Sequence, residues 1–324
     1  MSMTQTLVRR EPGTEAPSPR MSSDNIPWNP KMRQKRTPSD VVVDGIIWLI
    51  LIAVVLVVMY PLWFVVIASF SDPTAVSTGN VTLWPVGFSL DSYRMILADG
   101  RIWRGYLNTI MYSVIGTAVN LLVTIPAAYA CSRREFKPRR LIMLFFTFTM
   151  FFGGGLIPSY LLIKQLNLLD SMWVFILPGA FGAYNFIIAR SFFESSIPED
   201  LRDAARVDGV SYYGFFLRIV LPLSGAILAV IGLYCFVSHW NDYFTGLIYI
   251  RSQDKQPLQV VLQNILLANQ TDQGSVGMSA AQSQNLGDQI KFGIIIISTL
   301  PLLILYPCIQ KYFNKGVMIG AVKG

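Results

Sequence analysis

The chain alternates long apolar runs with short polar segments. Residues 45–70, 106–130, 141–163, 171–189, 219–238 and 292–309 contain no Asp, Glu, Lys or Arg. A helix of ~20 apolar residues crosses a ~30 Å hydrocarbon core, and each run is about that long. The pattern predicts an all-α fold, a polytopic membrane helical bundle with six transmembrane helices over those ranges. Pro61, Pro126, Pro158, Pro178, Pro222, Pro301 and Pro307 fall inside or at the ends of the runs. In water they would break helices, whereas in a bundle neighbouring helices satisfy the freed backbone groups.

The polar segments divide the rest. Residues 1–40 are proline-rich and read as a flexible tail that buries too little apolar surface to fold alone; 41–324 read as one transmembrane domain. The connecting loops are 71–104, 131–140, 164–170, 190–218 and 246–288. In the last of these, Leu258, Val261, Leu262, Ile265 and Leu266 recur at helical spacing behind Pro257, a good first-turn residue. This helix either lies over the end of the bundle or docks an external partner.

Charge refines the picture. Only 14% of residues are charged, against roughly 25% in ordinary soluble domains. A net charge of +7 could suggest nucleic acid, but 19 of the 26 Lys and Arg residues lie in 1–40, 131–140, 190–218 and the stretch after 309, leaving 7 in the alternate segments. The positive-inside rule then places both termini in the cytoplasm, and the basic excess orients the chain rather than announcing a nucleic-acid partner. The cysteines Cys131, Cys235 and Cys308 show no metal or disulfide spacing. There is no G-x-x-x-x-G-K-[ST] stretch to cradle ATP, no H-E-x-x-H, and one histidine, His239. These features predict a transport subunit rather than an enzyme, with no cofactor or metal of its own.

Candidate polar groups along a solute pathway are Asn108, Asn120, Tyr160, Asn185, Asn241 and Tyr243. For each taken singly, an interhelical hydrogen bond, worth ~0.6–2 kcal/mol, is the reading favoured over solute contact. For an anionic solute, Arg94, Arg101, Arg104 and Lys164 are the basic groups at the outer mouth. An ion-gradient-driven carrier is the alternative function. Such carriers need ionisable groups at membrane depth, and here only His239 and Asp242 flank the end of the fifth run.

The segment 190–218 has the most regular build. Ser196 and Glu199 have capping-box spacing, Pro198 suits a first turn, and Glu199 and Asp200 complement a helix N-terminus. Gly209 suits a helix end. Ser211 then caps a second helix expected to run unbroken into the fifth span, so that the pair forms a rigid elbow. A helix resting in the headgroup layer, with Arg202, Arg206 and Arg218 on lipid phosphates, is the competing reading.

The spacing Asp203-Ala204-Ala205, three residues, Gly209, nine residues, Ile219-x-Leu221-Pro222 resembles the EAA loop of ABC importer permeases, EAA-x3-G-x9-I-x-LP, with Asp203 in place of Glu. The resemblance implies a type I importer (MetI/MalG-like) permease fold in a bacterial inner membrane. It also implies that Asp203, Ala204, Ala205, Arg206 and Gly209 dock an ATPase subunit, while Ile219, Leu221 and Pro222 couple the loop to span five. The implied partners are a second permease, two ATPases carrying ATP and Mg, and an extracytoplasmic solute-binding protein. Leu107-Asn108-Thr109, Trp240-Asn241-Asp242-Tyr243 and the ending Gly320-Ala321-Val322-Lys323-Gly324 are similar to MalG-like sugar permeases. Residues 151–173 resemble the LplC-like subgroup, which implies oligosaccharides released from complex polysaccharides such as alginate as the solute.

Overall fold

A computed structural model of the chain describes residues 38–271, 290–307 and 310. Of the tail expected over 1–40, residues 1–37 lie outside the described residues, as do the polar part of the 246–288 loop and the ending after 310, whereas 38–40 already belong to the first helix. The described elements are helical, with no strand among them. Two units are distinguished, residues 1–58 and 59–324. Helix α1, Pro38–Ser69, carries the first apolar run and passes through Pro61 without ending. Its residues from Gly45 to Leu62 are exposed and uncharged, nearly all of them hydrophobic, as a lipid-facing helix requires.

In the larger unit, Asp72 caps the short α2 (Pro73–Ser77), accepting from the N–H groups of Thr74 and Ala75. After α3 (Asp91–Ala98), Asp99 caps α4, Gly100–Ser132. Helix α4 is the axis of the unit. Its buried positions include Gly105, Thr109, Tyr112, Gly116, Asn120 and Thr124, spaced three or four apart along one stripe. Small residues on such a stripe let neighbouring backbones approach. Three helices use it, α8 (Ala183–Ser196), α12 (Gly225–Trp240) and α14 (Leu258–Thr271).

The third run is not one straight helix. Helices α5 (Arg139–Phe151) and α6 (Leu156–Gln165) meet at 115°. Three consecutive glycines, Gly153 to Gly155, interrupt them, and Gly155 has φ +81°, a left-handed conformation that side chains disfavour. The fourth run is divided as well: α7 covers only Trp173–Ile176, and residues 177–182, with Pro178, Gly179 and Gly182, are non-helical before α8. In the fifth run, α10 (Tyr212–Phe215), a wide π-turn over Phe216–Val220 and α11 (Leu221–Leu223) precede α12 with a 78° bend. The expected unbroken elbow is therefore corrected to a bent one. Pro222 donates no backbone hydrogen bond and its ring crowds the carbonyl of the preceding turn, which the widened π-turn relieves. The last apolar run is helix α15, Ile290–Pro307. Among the described residues, α1, α4 and α15 are long and apolar enough to cross a membrane, and counting each bent pair as one span gives five.

Beyond α12 lie α13 (Tyr243–Tyr249), a 3-10 turn (Gln253–Lys255) and α14 (Leu258–Thr271). Helix α14 packs against the unit. Leu258, Val261 and Leu262 are buried with Trp240 and Ile294. Gly105 makes room for it: a Cβ there would stand 3.1 Å from the Leu258 Cα.

Candidate functional site

Helix α9 (Glu199–Val207) shows how its sequence sets its ends. Pro198 drives the preceding Ile197 into an extended conformation (φ −113°, ψ 98°) and so separates α8 from α9. Ser196 consequently closes α8 and does not cap α9, which corrects the capping-box expectation; Pro198 holds the cap position with no side-chain hydrogen bond. At the other end the Gly209 N–H donates to the Arg206 carbonyl (3.1 Å) and the Val210 N–H to the Ala205 carbonyl (2.9 Å). With Gly209 at φ +73°, this is a Schellman ending. Ser211 caps α10 through the Gly214 N–H.

The helix splits the expected docking group in two. Ala205 is 6% exposed and packs into a core with Phe193, Phe215 and Val220. Asp203, Ala204 and Arg206 are exposed, as is Val207 at 88%. Ala205 thus anchors the helix while Asp203 and Ala204 face away from the protein.

The loop after α4 ties α9 down. Arg202, 14% exposed at its side chain, places Nη2 2.7 Å from a Glu135 carboxylate oxygen, and Arg134 lies 3.8 Å from Glu199. Next to them the Arg133 guanidinium stacks 4.7 Å over the Tyr129 ring and donates to the Phe193 carbonyl. Sequence reasoning missed this clamp because its partners lie 67 residues apart, with no periodicity linking them. Beyond α9, Ile219 sits in the π-turn, and Leu221 and Pro222 in α11. Ser224, fully buried, donates Oγ–H to the Val220 carbonyl at 2.7 Å and so fixes the bend before α12.

A second feature is a cavity of about 390 Å³ beside the break at 177–182. Asn120, Asn185, Ser238, His239, Asp242 and Thr245 line it with the backbone of Gly179 and Gly182. Asn120 donates to the Gly179 carbonyl (2.9 Å) and accepts from Thr124, so it holds the broken segment. Asn185 donates weakly to the Cys235 sulfur at 3.4 Å. Non-helical backbone at membrane depth is tolerated where protein buries it or where it lines a polar cavity. Signals for this site were present in Pro178-Gly179 and in the histidine, but the run's lack of charge concealed them.

The other pathway candidates lie elsewhere. Asn108 donates to the carbonyls of Asp254 (2.8 Å) and Gln256 (3.0 Å), while Thr109 accepts from the Leu258 N–H (2.8 Å). The Asn-Thr pair is thus an anchor for the segment between α13 and α14. Tyr160 stacks on Tyr249 with centroids 5.9 Å apart. Asn241 donates to the Val237 carbonyl. Tyr243 begins α13, whose cap is Asp242, accepting from the Thr245 N–H at 3.1 Å. Trp240 is buried and donates to the Ser298 carbonyl, joining α12 to α15. Of the outer basic residues, Arg94 pairs with Asp91 and Arg101 with Asp99; the Arg101 side chain holds the Asp99 carboxyl below its ordinary range.

An all-helical membrane bundle with a tethered, outward-facing helix at one end and a polar cavity beside a broken helix has the build of a transport permease. Through residues 100–319 the chain belongs to the family described as the binding-protein-dependent transport system inner membrane component. It is a permease subunit of an ABC importer, a transport component rather than an enzyme. It is 39% identical over 281 residues to the polygalacturonan/rhamnogalacturonan transport system permease protein YtcP of Bacillus subtilis, covering 87% of this chain and 98% of that one. Protein LplC of the same organism is 38% identical, covering 83% and 90% of the two chains. Among solved structures, a bacterial ABC transporter involved in the import of the acidic polysaccharide alginate matches with a TM-score of 0.76 and 34% identity, covering 86% of this chain and 99% of that one.

Proposed function

We propose that this chain forms half of the translocation pathway of an ATP-driven importer for oligosaccharides derived from acidic polysaccharides. The solute class rests on the similarity to a polygalacturonan/rhamnogalacturonan permease and to an alginate importer. In this reading six spans cross a bacterial inner membrane with both termini in the cytoplasm. A second permease completes the pathway, an extracytoplasmic solute-binding protein delivers the solute to the outer loop 246–288, and two ATPase subunits carry ATP and Mg. This chain contributes no cofactor or metal.

The observation that carries the coupling role is the division of α9, with Ala205 buried as anchor while Asp203 and Ala204 stand exposed at the same turn. Asp203, Ala204 and Arg206 present the docking face, and Gly209 shapes its end. Closure of the ATPases displaces α9 together with its clamp to Glu135, and the π-turn at Ile219 with Leu221 and Pro222 passes that movement to α12. The cavity holding Asn120 and Asn185 lies on the solute's route, and its amide and hydroxyl groups suit the hydroxyls of a sugar.

The test is purification with the partner subunits, followed by a screen of oligosaccharides for stimulation of ATP hydrolysis. Uronate oligosaccharides are expected to stimulate, and Asp203→Lys is expected to abolish stimulation while the chain still inserts. Unchanged ATPase co-purification and uptake in that variant would sink the docking role. Substantial uptake driven by an ion gradient without ATP would favour a carrier instead.

A further inference from the structure

Two cavities meet between the loop after α4 and helix α9, sharing Arg202 and Tyr212 as a common wall. One, of about 290 Å³, is lined by Tyr129, Arg133, Glu135 and Phe136. The other, of about 180 Å³, is lined by Ala205, Arg206, Val210 and Phe215. Three guanidinium groups therefore face this space against one carboxylate. Glu135 is already engaged by Arg202. The Arg133 Nε is buried with no hydrogen-bond partner in the structure. The Arg206 side chain has no ion pair or hydrogen bond among the described residues.

A buried guanidinium N–H without an acceptor is costly, so the site is short of negative charge and of acceptor oxygens. Arginine presents its donors as a planar fork that matches a phosphate. The walls, however, are aromatic and apolar, supplied by Tyr129, Phe136, Tyr212 and Phe215, which a small hydrated ion does not require.

The position supplies the remaining constraint. Tyr129 and Ala130 end the second apolar run, so the cavities open at the level where a span leaves the membrane. Next along the chain, Arg139 and Arg140 occupy the first turn of α5, where the helix dipole disfavours cations. Directly after them Leu141, Leu144 and Phe145 are exposed. Cations at the wrong end of a helix, followed by an open apolar face, match an amphiphile whose anionic head meets the arginines and whose tails lie along α5.

We infer that this paired cavity is a binding site for the phosphate headgroup of an anionic phospholipid, bridging the loop after α4 to the coupling helix α9. Arg133 and Arg206 grip the phosphate from the two sides, and Tyr212 closes over the glycerol. The lipid thereby stiffens the connection that Arg202 and Glu135 make alone in its absence, and coupling becomes sensitive to membrane composition. The inference does not depend on the solute; it shares Arg206 with the proposed docking face, so ATPase co-purification is read separately from lipid retention.

The experiment uses the whole importer, purified with its partners and examined by native mass spectrometry after exchange into phosphatidylglycerol, phosphatidylcholine or inorganic phosphate. The wild type is expected to retain phosphatidylglycerol over phosphatidylcholine by about tenfold, equivalent to ~1.4 kcal/mol. Arg133→Gln with Arg206→Gln is expected to abolish that preference, whereas Arg133→Lys with Arg206→Lys keeps most of it. Arg94→Gln, at the outer face, is expected to leave it unchanged. If the double glutamine variant does not assemble, Arg133→Gln alone, outside the docking face, is expected to reduce the preference. Equal retention of both lipids by the wild type would overturn the inference. So would an equal loss in Arg94→Gln, or saturation by inorganic phosphate with no lipid retained.

Discussion

His239 on α12 lies with the edge of its ring against the bare backbone of Gly116 on α4, so close that a Cβ at position 116 would stand 2.5 Å from Nε2. The contact brings together the two helices that frame the polar cavity, and it fixes which way the imidazole sits. Gly116→Ala must push the ring, because the three ring atoms nearest that Cβ all fall within 2.9 Å. Overpacking of this kind costs about 1–3 kcal/mol, and the nearest free space is the cavity itself. The variant is expected to assemble with its ATPase but to lose most uptake, and adding His239→Ala is expected to restore part of it. Wild-type uptake in Gly116→Ala would show that the cavity lies off the solute's route.

The two alanines of the docking motif are expected to behave differently. Ala205→Leu forces a larger side chain into the core around Phe193 and Phe215, lowering stability by about 1–3 kcal/mol. Ala204→Leu, at an exposed position, is expected to leave the melting temperature unchanged and to weaken ATPase co-purification. Thermal unfolding in detergent beside pull-down yield separates the two effects. Identical profiles for both variants would remove the division between anchor and contact.

The pair Arg202–Glu135 is half open to solvent on the Glu135 side (49% exposed), so its direct contribution to stability is about 0.2–1 kcal/mol. Its larger effect is mechanical. Glu135→Arg is expected to uncouple ATP hydrolysis from uptake, and the exchange Glu135→Arg with Arg202→Glu to recover much of the coupling. Hydrolysis and uptake measured on the same proteoliposomes give the ratio, and no recovery in the exchange would count against a direct role for the pair.

How far these features were legible in the chain differs from place to place. The existence of α9 and its glycine ending followed from local rules, since only a residue tolerant of positive φ ends the helix at Gly209. The capping-box spacing misplaces its start on Ser196, because it ignores the effect of Pro198 on Ile197. The periodicity of Leu258, Val261 and Leu262 likewise announced α14. An unbroken helix was the wrong expectation at the entry to the fifth run, and the sharp bend in the third was not anticipated. Hydropathy measures burial in lipid and is blind to direction, whereas Gly155 at φ +81° and the π-turn before Pro222 change direction without adding charge. Candidate pathway residues were chosen by polarity alone, which does not distinguish Asn120, turned into a cavity, from Asn108, turned onto a loop carbonyl. The clamp of Arg202 on Glu135 and the site around Arg133 are tertiary, joining residues whose separation leaves no local trace.

Between α6 and α7, Asp170 locks the segment after α13 and gives a pH-dependent prediction. Its carboxylate accepts from the N–H groups of Arg251 (3.0 Å) and Ser252 (2.9 Å) and from the Ser252 hydroxyl, and it pairs with Lys255 at 3.3 Å. The Ser252 hydroxyl above all, then the backbone donors, holds the Asp170 carboxyl well below the usual carboxylate range. A carboxyl whose pKa is lowered by folding stabilises the fold above its unfolded value, ~3.9, and that stabilisation is lost as pH falls through the lowered folded value. The loop is therefore expected to stay closed from neutral down to weakly acidic pH and to open only in strong acid. Asp170→Ala is expected to open it already at neutral pH, at a cost of about 1–3 kcal/mol for the donors left unpaired. Limited proteolysis across residues 250–258 reads this directly, with wild type resistant and the variant cleaved. Equal resistance at neutral pH would mean that the contacts of Asn108 and Tyr112 with this loop suffice to hold it without the carboxylate.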